Sequence, residues 1–153
     1  MEIILYQPQI PQNTGNILRT CFLTGTSLSL IRPLGFKVTD KQLRRAGIDY
    51  FNQTDIHIWD SWEAYLEAHP TAPRYFFSSK ATKRYVDTSY PLNGHLIFGA
   101  ETTGLPESIT THYAPDLYTI PMRPHQRCLN LSCSVSIVLY EALRQQDFRS
   151  LYS

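Results

Sequence analysis

Short apolar runs alternate with segments of helical period along this chain, and that alternation limits its fold more than any other feature. Residues Glu2 to Tyr6 form a compact apolar run that stops at Gln7-Pro8, which reads as a strand meeting a loop. A helix is expected from about Thr14, because Ile17, Leu18, Cys21 and Phe22 share one apolar face, and Gly25 ends it. Ser27 to Ile31 reads as a second strand, broken by Pro33-Leu-Gly35. Asp40 can cap a short helix through Ala46, with Gly47 after it. Further strands are expected at Asp55–Trp59, Arg74–Ser78, His95–Phe98 and Leu117–Ile120. Helices are expected from Asp60 or Ser61 to about Ala68, and from about Ser132 to Gln146. The last carries Val135, Val138, Leu139 and Ala142 on one side. Strands alternating with helices predict an α/β fold on a mostly parallel sheet.

The 153 residues suit one domain, 1–153, with 42% hydrophobic and 18% charged residues. A formal charge of +1 excludes a histone-like binder of nucleic acid but leaves room for a local basic patch. Ten of the 14 positive residues are Arg, whose fork suits bidentate phosphate contact. Three cysteines at unpatterned spacing argue against a disulfide framework and for a reducing, cytoplasmic setting. The start lacks a signal-peptide pattern, and no stretch reads as a membrane span.

Common catalytic signatures are missing. There is no GxGxxG, P-loop, HExxH, CxxC or GxSxG. Cys128 and Cys133, with only His125 near, make a poor zinc set, and the five histidines are scattered. No metal centre is expected from these spacings.

Three segments remain. In Asn13-Thr-Gly-Asn-Ile-Leu-Arg19, Asn16 and Arg19 lie opposite the apolar face of the first helix. Helix amides, Asn side chains and an Arg fork there can converge on an anion or a hydroxyl, and the same pattern fits a capped helix with a solvated face. His95-Leu-Ile-Phe-Gly-Ala-Glu-Thr-Thr-Gly-Leu-Pro106 runs from a buried strand into glycines. A ligand can approach the backbone closely at such a strand end, which can equally be a plain turn. Ile120-Pro-Met-Arg-Pro-His-Gln-Arg-Cys-Leu-Asn-Leu-Ser132 holds two prolines after Ile120-Pro121 is counted with Pro124, and so offers unpaired backbone groups before the last helix. That segment is either a reader of a purine edge or a capping loop. Arg32, Lys37, Lys41, Arg44 and Arg45 add a basic tract with only Asp40 against it, fit for phosphates or for plain solvation.

Together and in this order, the segments resemble the three motifs of SPOUT-class RNA 2′-O-methyltransferases. The likeness is strongest to the small single-domain type that methylates the wobble ribose of tRNA. Leu5-Tyr-Gln-Pro-Gln-Ile-Pro-Gln-Asn-Thr-Gly-Asn-Ile-Leu-Arg19 is similar to the first motif of that family. Pro33-Leu-Gly-Phe36, Leu43-Arg-Arg-Ala-Gly-Ile-Asp-Tyr50, Phe98-Gly-Ala-Glu-Thr-Thr-Gly-Leu-Pro106, Ile120-Pro-Met122, Leu129-Asn-Leu-Ser132 and Tyr140-Glu-Ala-Leu-Arg144 fit as well. The resemblance implies a parallel α/β sheet flanked by helices, with a C-terminal trefoil knot. It implies S-adenosyl-L-methionine held by Phe77, Gly99, Glu101, Ile120, Met122, Cys128, Leu129 and Asn130. It implies catalytic roles for Arg19, Asn16, Asn130 and Ser132, and RNA contacts from Arg32, Lys41, Arg44, Arg45, Arg123 and Arg127. The expected partners are a tRNA anticodon loop and a second copy of the chain, docked through the last helix. Cys128 stands where the family usually has Ser, and Cys133 where it often has Asn. The rival readings are an enzyme acting on another RNA, a non-catalytic RNA-binding module of the same fold, and a flavodoxin-like nucleotide binder.

Overall fold

The structure is a computed structural model that describes residues 1–39, 41, 43, 45 and 50–153. The helix expected over Asp40–Ala46, with its stop at Gly47, lies partly outside the described residues, as does Arg44.

Among the described residues, seven strands form one sheet in the order β3-β2-β1-β6-β4-β7-β5. They are β1 (Glu2–Tyr6), β2 (Ser27–Ile31), β3 (Ile56–Trp59), β4 (Arg74–Phe77), β5 (Lys83–Arg84), β6 (His95–Phe98) and β7 (Leu117–Thr119). Every strand pairing in the sheet is parallel. A parallel sheet needs crossovers that cover both faces, and the burial of its strands follows. All four residues of β6 are buried, as are the middle three of β1. The exposed two-residue β5 carries no apolar run, and the sequence patterning shows no sign of it.

Side chains alternate across the sheet and divide the core in two. Ile3, Leu5, Leu28, Leu30, Leu96 and Phe98 face α1 (Pro11–Thr24) and α4 (Leu131–Gln145). Ile4, Ile31, Phe76 and Ile97 face Tyr65 of α2 (Trp62–Ala68) and Ile109 of α3 (Glu107–His112). A short α5 (Arg149–Tyr152) follows α4. The expected apolar side of the last helix is the buried one, with Leu143 joining Val135, Val138, Leu139 and Ala142. Gly25 ends α1 in the left-handed region, at φ 64°, where glycine has no Cβ to clash.

The first helix differs from expectation at its start. It begins at Pro11 instead of near Thr14, so Asn13 and Thr14 are buried within its first turn. Proline is suited to that first position because its missing N–H has no partner to lose. The residue before it, Ile10, supplies no side-chain cap, so the cap comes from elsewhere in the chain.

On the α2 face, polar groups gather at the N-terminal ends of the central strands. His95 bonds through Nδ1 to the Tyr65 hydroxyl at 2.7 Å. Its Nε2 lies 3.5 Å from Glu2 Oε2. Burial, followed by the neighbouring His69 and Arg74, lowers His95 to about 4 and leaves the imidazole neutral. Burial likewise pushes the Cys21 thiol up to about 12, which makes it a core side chain and not a nucleophile.

Leu139 is fully buried between α4, α1 and the sheet, whereas Leu92 is 69% exposed. Leu139→Ala is expected to cost about 2–5 kcal/mol in urea unfolding. Leu92→Ala should stay within about 0.5 kcal/mol of the parent.

Candidate active site

The chain leaves β1 toward β2 on one side of the sheet, while β6 neighbours β1 on the other. Such a reversal opens a crevice at the C-terminal strand ends, where ligands of open α/β sheets bind. Here the crevice lies between the loop after Tyr6 and the loop after Phe98. One side chain bridges it.

That side chain is Glu101. Its Oε2 accepts the backbone N–H of Gln9 at 2.7 Å, and its Oε1 accepts the N–H of Ile10 at 3.0 Å. These amides sit at the N-terminal end of α1, where the helix dipole favours a carboxylate. Glu101 is therefore the distant cap that Ile10 lacks. Thr102 adds a bond from its hydroxyl to Gln9 Oε1 at 2.6 Å.

From Glu101 the hydrogen bonds continue in a fixed direction. Oε1 also accepts Asn13 Nδ2, at 3.4 Å. A carboxylate only accepts, so the Asn13 amide must turn its NH2 toward it and its Oδ1 away. Asn13 Oδ1 then accepts Asn130 Nδ2 at 2.9 Å. Asn130 in turn presents Oδ1 to the Ser132 N–H at 2.9 Å and to the Ser132 hydroxyl at 2.6 Å. Asn130 is the N-cap of α4, as its residue type suggests. Because the Ser132 hydroxyl donates to Asn130, its oxygen is left with accepting capacity.

Beside this relay lies a cavity of about 810 Å³ at the C-terminal ends of β4, β6 and β7. Its walls come from the strand ends, the 99–105 loop, α3 and the segment that leads into α4. Gly99 is required there. A Cβ on it would lie 2.2 Å from Gly104 C and Leu105 N, both backbone atoms. The loop turns back on itself at Gly104, at φ 64°.

Among the residues named for a cofactor, Phe77, Gly99, Glu101, Ile120, Met122, Cys128 and Leu129 all line this cavity. Asn130 is absent from the lining and takes part through the relay. Cys128 and Cys133 are both exposed. Of the residues named for catalysis, Asn130 and Ser132 are bonded to each other, while Asn16 and Arg19 lie on the exposed face of α1, outside the cavity lining. The Arg19 guanidinium lies 6.0 Å from the centre of the Tyr50 ring. Arg123 and Arg127 are exposed on the segment that supplies Met122 and Cys128 to the cavity, and Lys41 and Arg45 are exposed as well. Arg32 is bound to Asp60 at 2.9 Å, an opposing charge that lies outside the basic tract in the sequence.

Two residues of the site were given no individual role by the sequence. Asn13 joins Glu101 to Asn130, and its only signal was its place just before Thr14-Gly15 in the first motif. Lys80, beyond the end of β4, lines the cavity and had no signal in the local sequence.

Two substitutions test this geometry through urea unfolding. Gly99→Ala forces backbone apart and is expected to lose at least the roughly 1–3 kcal/mol of ordinary overpacking. Glu101→Gln sets an NH2 against one of two backbone N–H groups and is expected to lose about 1–2 kcal/mol near neutral pH. An unchanged midpoint for either variant would remove the close approach or the bridge from the account.

Comparison with known proteins adds the family. The chain is 44% identical over 148 residues to the tRNA (cytidine(34)-2′-O)-methyltransferase of Methylovorus glucosotrophus, covering 96% of each. It is 42% identical over 148 residues to the protein of the same name from Saccharophagus degradans, again covering 96% of each. A solved structure described as "Structural insights into the 2-OH methylation of C/U34 on tRNA" superposes with a TM-score of 0.91 at 40% identity, over 97% of both chains. The pattern of the SpoU rRNA Methylase family matches residues 1–140. By this match and by its likeness to these relatives, the chain belongs to the SpoU methylase family.

Proposed function

We propose that this protein transfers a methyl group from S-adenosyl-L-methionine to the ribose 2′-OH of the wobble nucleotide, a cytidine or uridine at position 34 of tRNA. The observation that carries the reading is the Glu101–Asn13–Asn130–Ser132 relay, which ends on a hydroxyl beside a cavity of cofactor size. The relatives named above support the choice of nucleotide.

The cavity fits the cofactor in size and in chemistry. Phe77, Phe98 and Leu129 give it apolar wall, and the Gly99 cradle brings backbone where a Cβ would exclude it. Bound there, S-adenosyl-L-methionine supplies an electrophilic methyl group. The protein's work is then positioning, since holding reacting groups in line can supply much of the rate. Ser132, its hydroxyl fixed by Asn130, shapes the methyl-transfer pocket beside the ribose. Arg19 stays protonated at neutral pH, so it orients the ribose oxygen and stabilises developing charge. A water or an RNA phosphate takes the proton, and Asn16 positions the ribose.

Arg19 and Asn16 lie outside the lining of this chain's own cavity, which favours a homodimer that completes the site at the subunit boundary. Leu23 on α1 and Tyr140 on α4 are 60% and 45% exposed, and covering such residues suits an interface through the last helix. The trefoil knot belongs to the same reading, with the 120–130 segment threading past the 99–105 loop beside the cavity. Action in the cytoplasm, where tRNA is modified, belongs to the same reading.

RNA contact falls to Arg123 and Arg127 on the segment that lines the cavity, together with Arg32, Lys41 and Arg45, and with Arg44, which lies outside the described residues. A loop nucleotide is a fitting target, because unpaired bases can be splayed out and read.

The first test is calorimetry with S-adenosyl-L-methionine, followed by methyl transfer to tRNA transcripts with mapping of the modified ribose. One cofactor per chain and 2′-O-methylation at nucleotide 34 are expected. Methylation of ribosomal RNA alone would overturn the tRNA assignment while sparing the chemistry. Arg19→Ala should lower kcat by about 10²–10³-fold with cofactor affinity nearly unchanged. Equal loss of both would refute its role. Arg123→Ala should weaken every tRNA alike and reduce the slope of log K against log salt by about 1.

A further inference from the structure

Far from the cavity, at the N-terminal ends of β1 and β6, three metal-ligating side chains meet that the proposed chemistry leaves unused. They are Glu2 on β1, His95 on β6 and His69 at the C-terminal end of α2. Strand pairing sets Glu2 directly against His95. The face alternation then turns both toward α2. One potential ligand atom from each residue falls in a group whose members all lie within 4.8 Å of one another.

We propose that Glu2, His69 and His95 form a zinc site that ties the end of α2 to the sheet. Two imidazoles and a carboxylate suit zinc, whereas magnesium and calcium favour all-oxygen shells. Bonds of about 2.0–2.2 Å to a tetrahedral ion set neighbouring ligand atoms roughly 3.3–3.5 Å apart. His95 Nε2 and Glu2 Oε2 already stand at 3.5 Å. The His69 ligand atom stands within 4.8 Å of the other two, and His69 sits where the helix ends.

Two further observations point the same way. The Nε2 of His69 is buried and has no hydrogen-bond partner, which is costly for a polar atom unless something else satisfies it. The outer partners that orient metal ligands are also in place. Tyr65 holds His95 through Nδ1, leaving Nε2 for the ion. Ser29 donates to Glu2 Oε1 and accepts from Trp59 Nε1 at 2.9 Å, leaving Oε2 for the ion. Arg74 and the Met1 ammonium both bring positive charge to this cluster, and Glu2 is the carboxylate set among them; the Arg74 guanidinium donates to the His69 carbonyl and lies over the Tyr65 ring. Three protein ligands leave one position for water. The position at the opposite end of the strands from the cavity makes the ion structural, not catalytic.

The test uses the full chain, stripped with a chelator and reloaded with zinc in competition with a chromophoric chelator. One zinc per chain is expected, with a rise in Tm on loading. Cobalt in its place should show the visible bands of a tetrahedral nitrogen–oxygen site without sulfur charge transfer. His69→Ala should weaken zinc binding by more than the 10–100-fold typical of losing an outer partner. Glu2→Gln keeps the side-chain volume and should also weaken it, while Cys128→Ser with Cys133→Ser leaves it intact. No stoichiometric binding by the parent, unchanged binding in His69→Ala and Glu2→Gln, or a sulfur charge-transfer band would each overturn the site.

Discussion

A carboxylate reaching across the sheet crevice organises the active end of this molecule. Glu101 stands in the loop after β6, but what it bonds are the amides that open α1. It thus does two jobs with one charge: it caps a helix that has no cap of its own, and it fixes which way the Asn13 amide faces. Each later partner follows from that choice, since an amide that donates on one side accepts on the other. Three loops distant in sequence, those after β1, β6 and β7, are brought into register by acceptors and donors and not by apolar packing alone. A half-satisfied network of this kind is costly, and a complete one specifies a single arrangement.

Most of the fold was legible because a parallel sheet makes strong local demands. Its central strands are buried on both faces, so β1 and β6 carry short apolar runs, β2 sets Leu28, Leu30 and Ile31 among two serines, and α4 shows its buried stripe at helical period. The edge was not legible. β5 is two exposed residues, Lys83 and Arg84, whose pairing to β7 depends on where the preceding chain is led. The start of α1 was misplaced for a similar reason. Asn13-Thr14 has the composition of a local cap, but the cap is Glu101, about ninety residues away, and no window along the chain contains both.

The site divides along the same line. The residues that the family resemblance implies for the cofactor line the cavity, Asn130 excepted, because the motifs that carry the resemblance are contiguous stretches at strand ends. Cys128 shows how far that reasoning extends: its position on the cavity wall followed from its neighbours, although its side chain differs from the family's usual serine. Asn13 and Lys80 show where it stops, since neither residue type is unusual where it stands. Their significance comes from what the fold sets opposite them.

The two ends of the sheet use polar groups in different ways, and the difference follows from strand direction. At the C-terminal ends the chain enters long loops, with backbone free to approach a ligand and a helix N-terminus pointing at the crevice. At the N-terminal ends the strands begin under α2, and Glu2, Ser29 and His95 are held on a buried face by Tyr65 and Trp59. Buried polar groups there can fix one arrangement of helix on sheet, provided every member finds a partner. Glu2, Ser29 and His95 have theirs, and His69 Nε2 does not. A cation among two imidazoles and one carboxylate would complete that network by coordination, as Glu101 completes the other by hydrogen bonds. In both places a group from a distant element supplies what the local sequence omits.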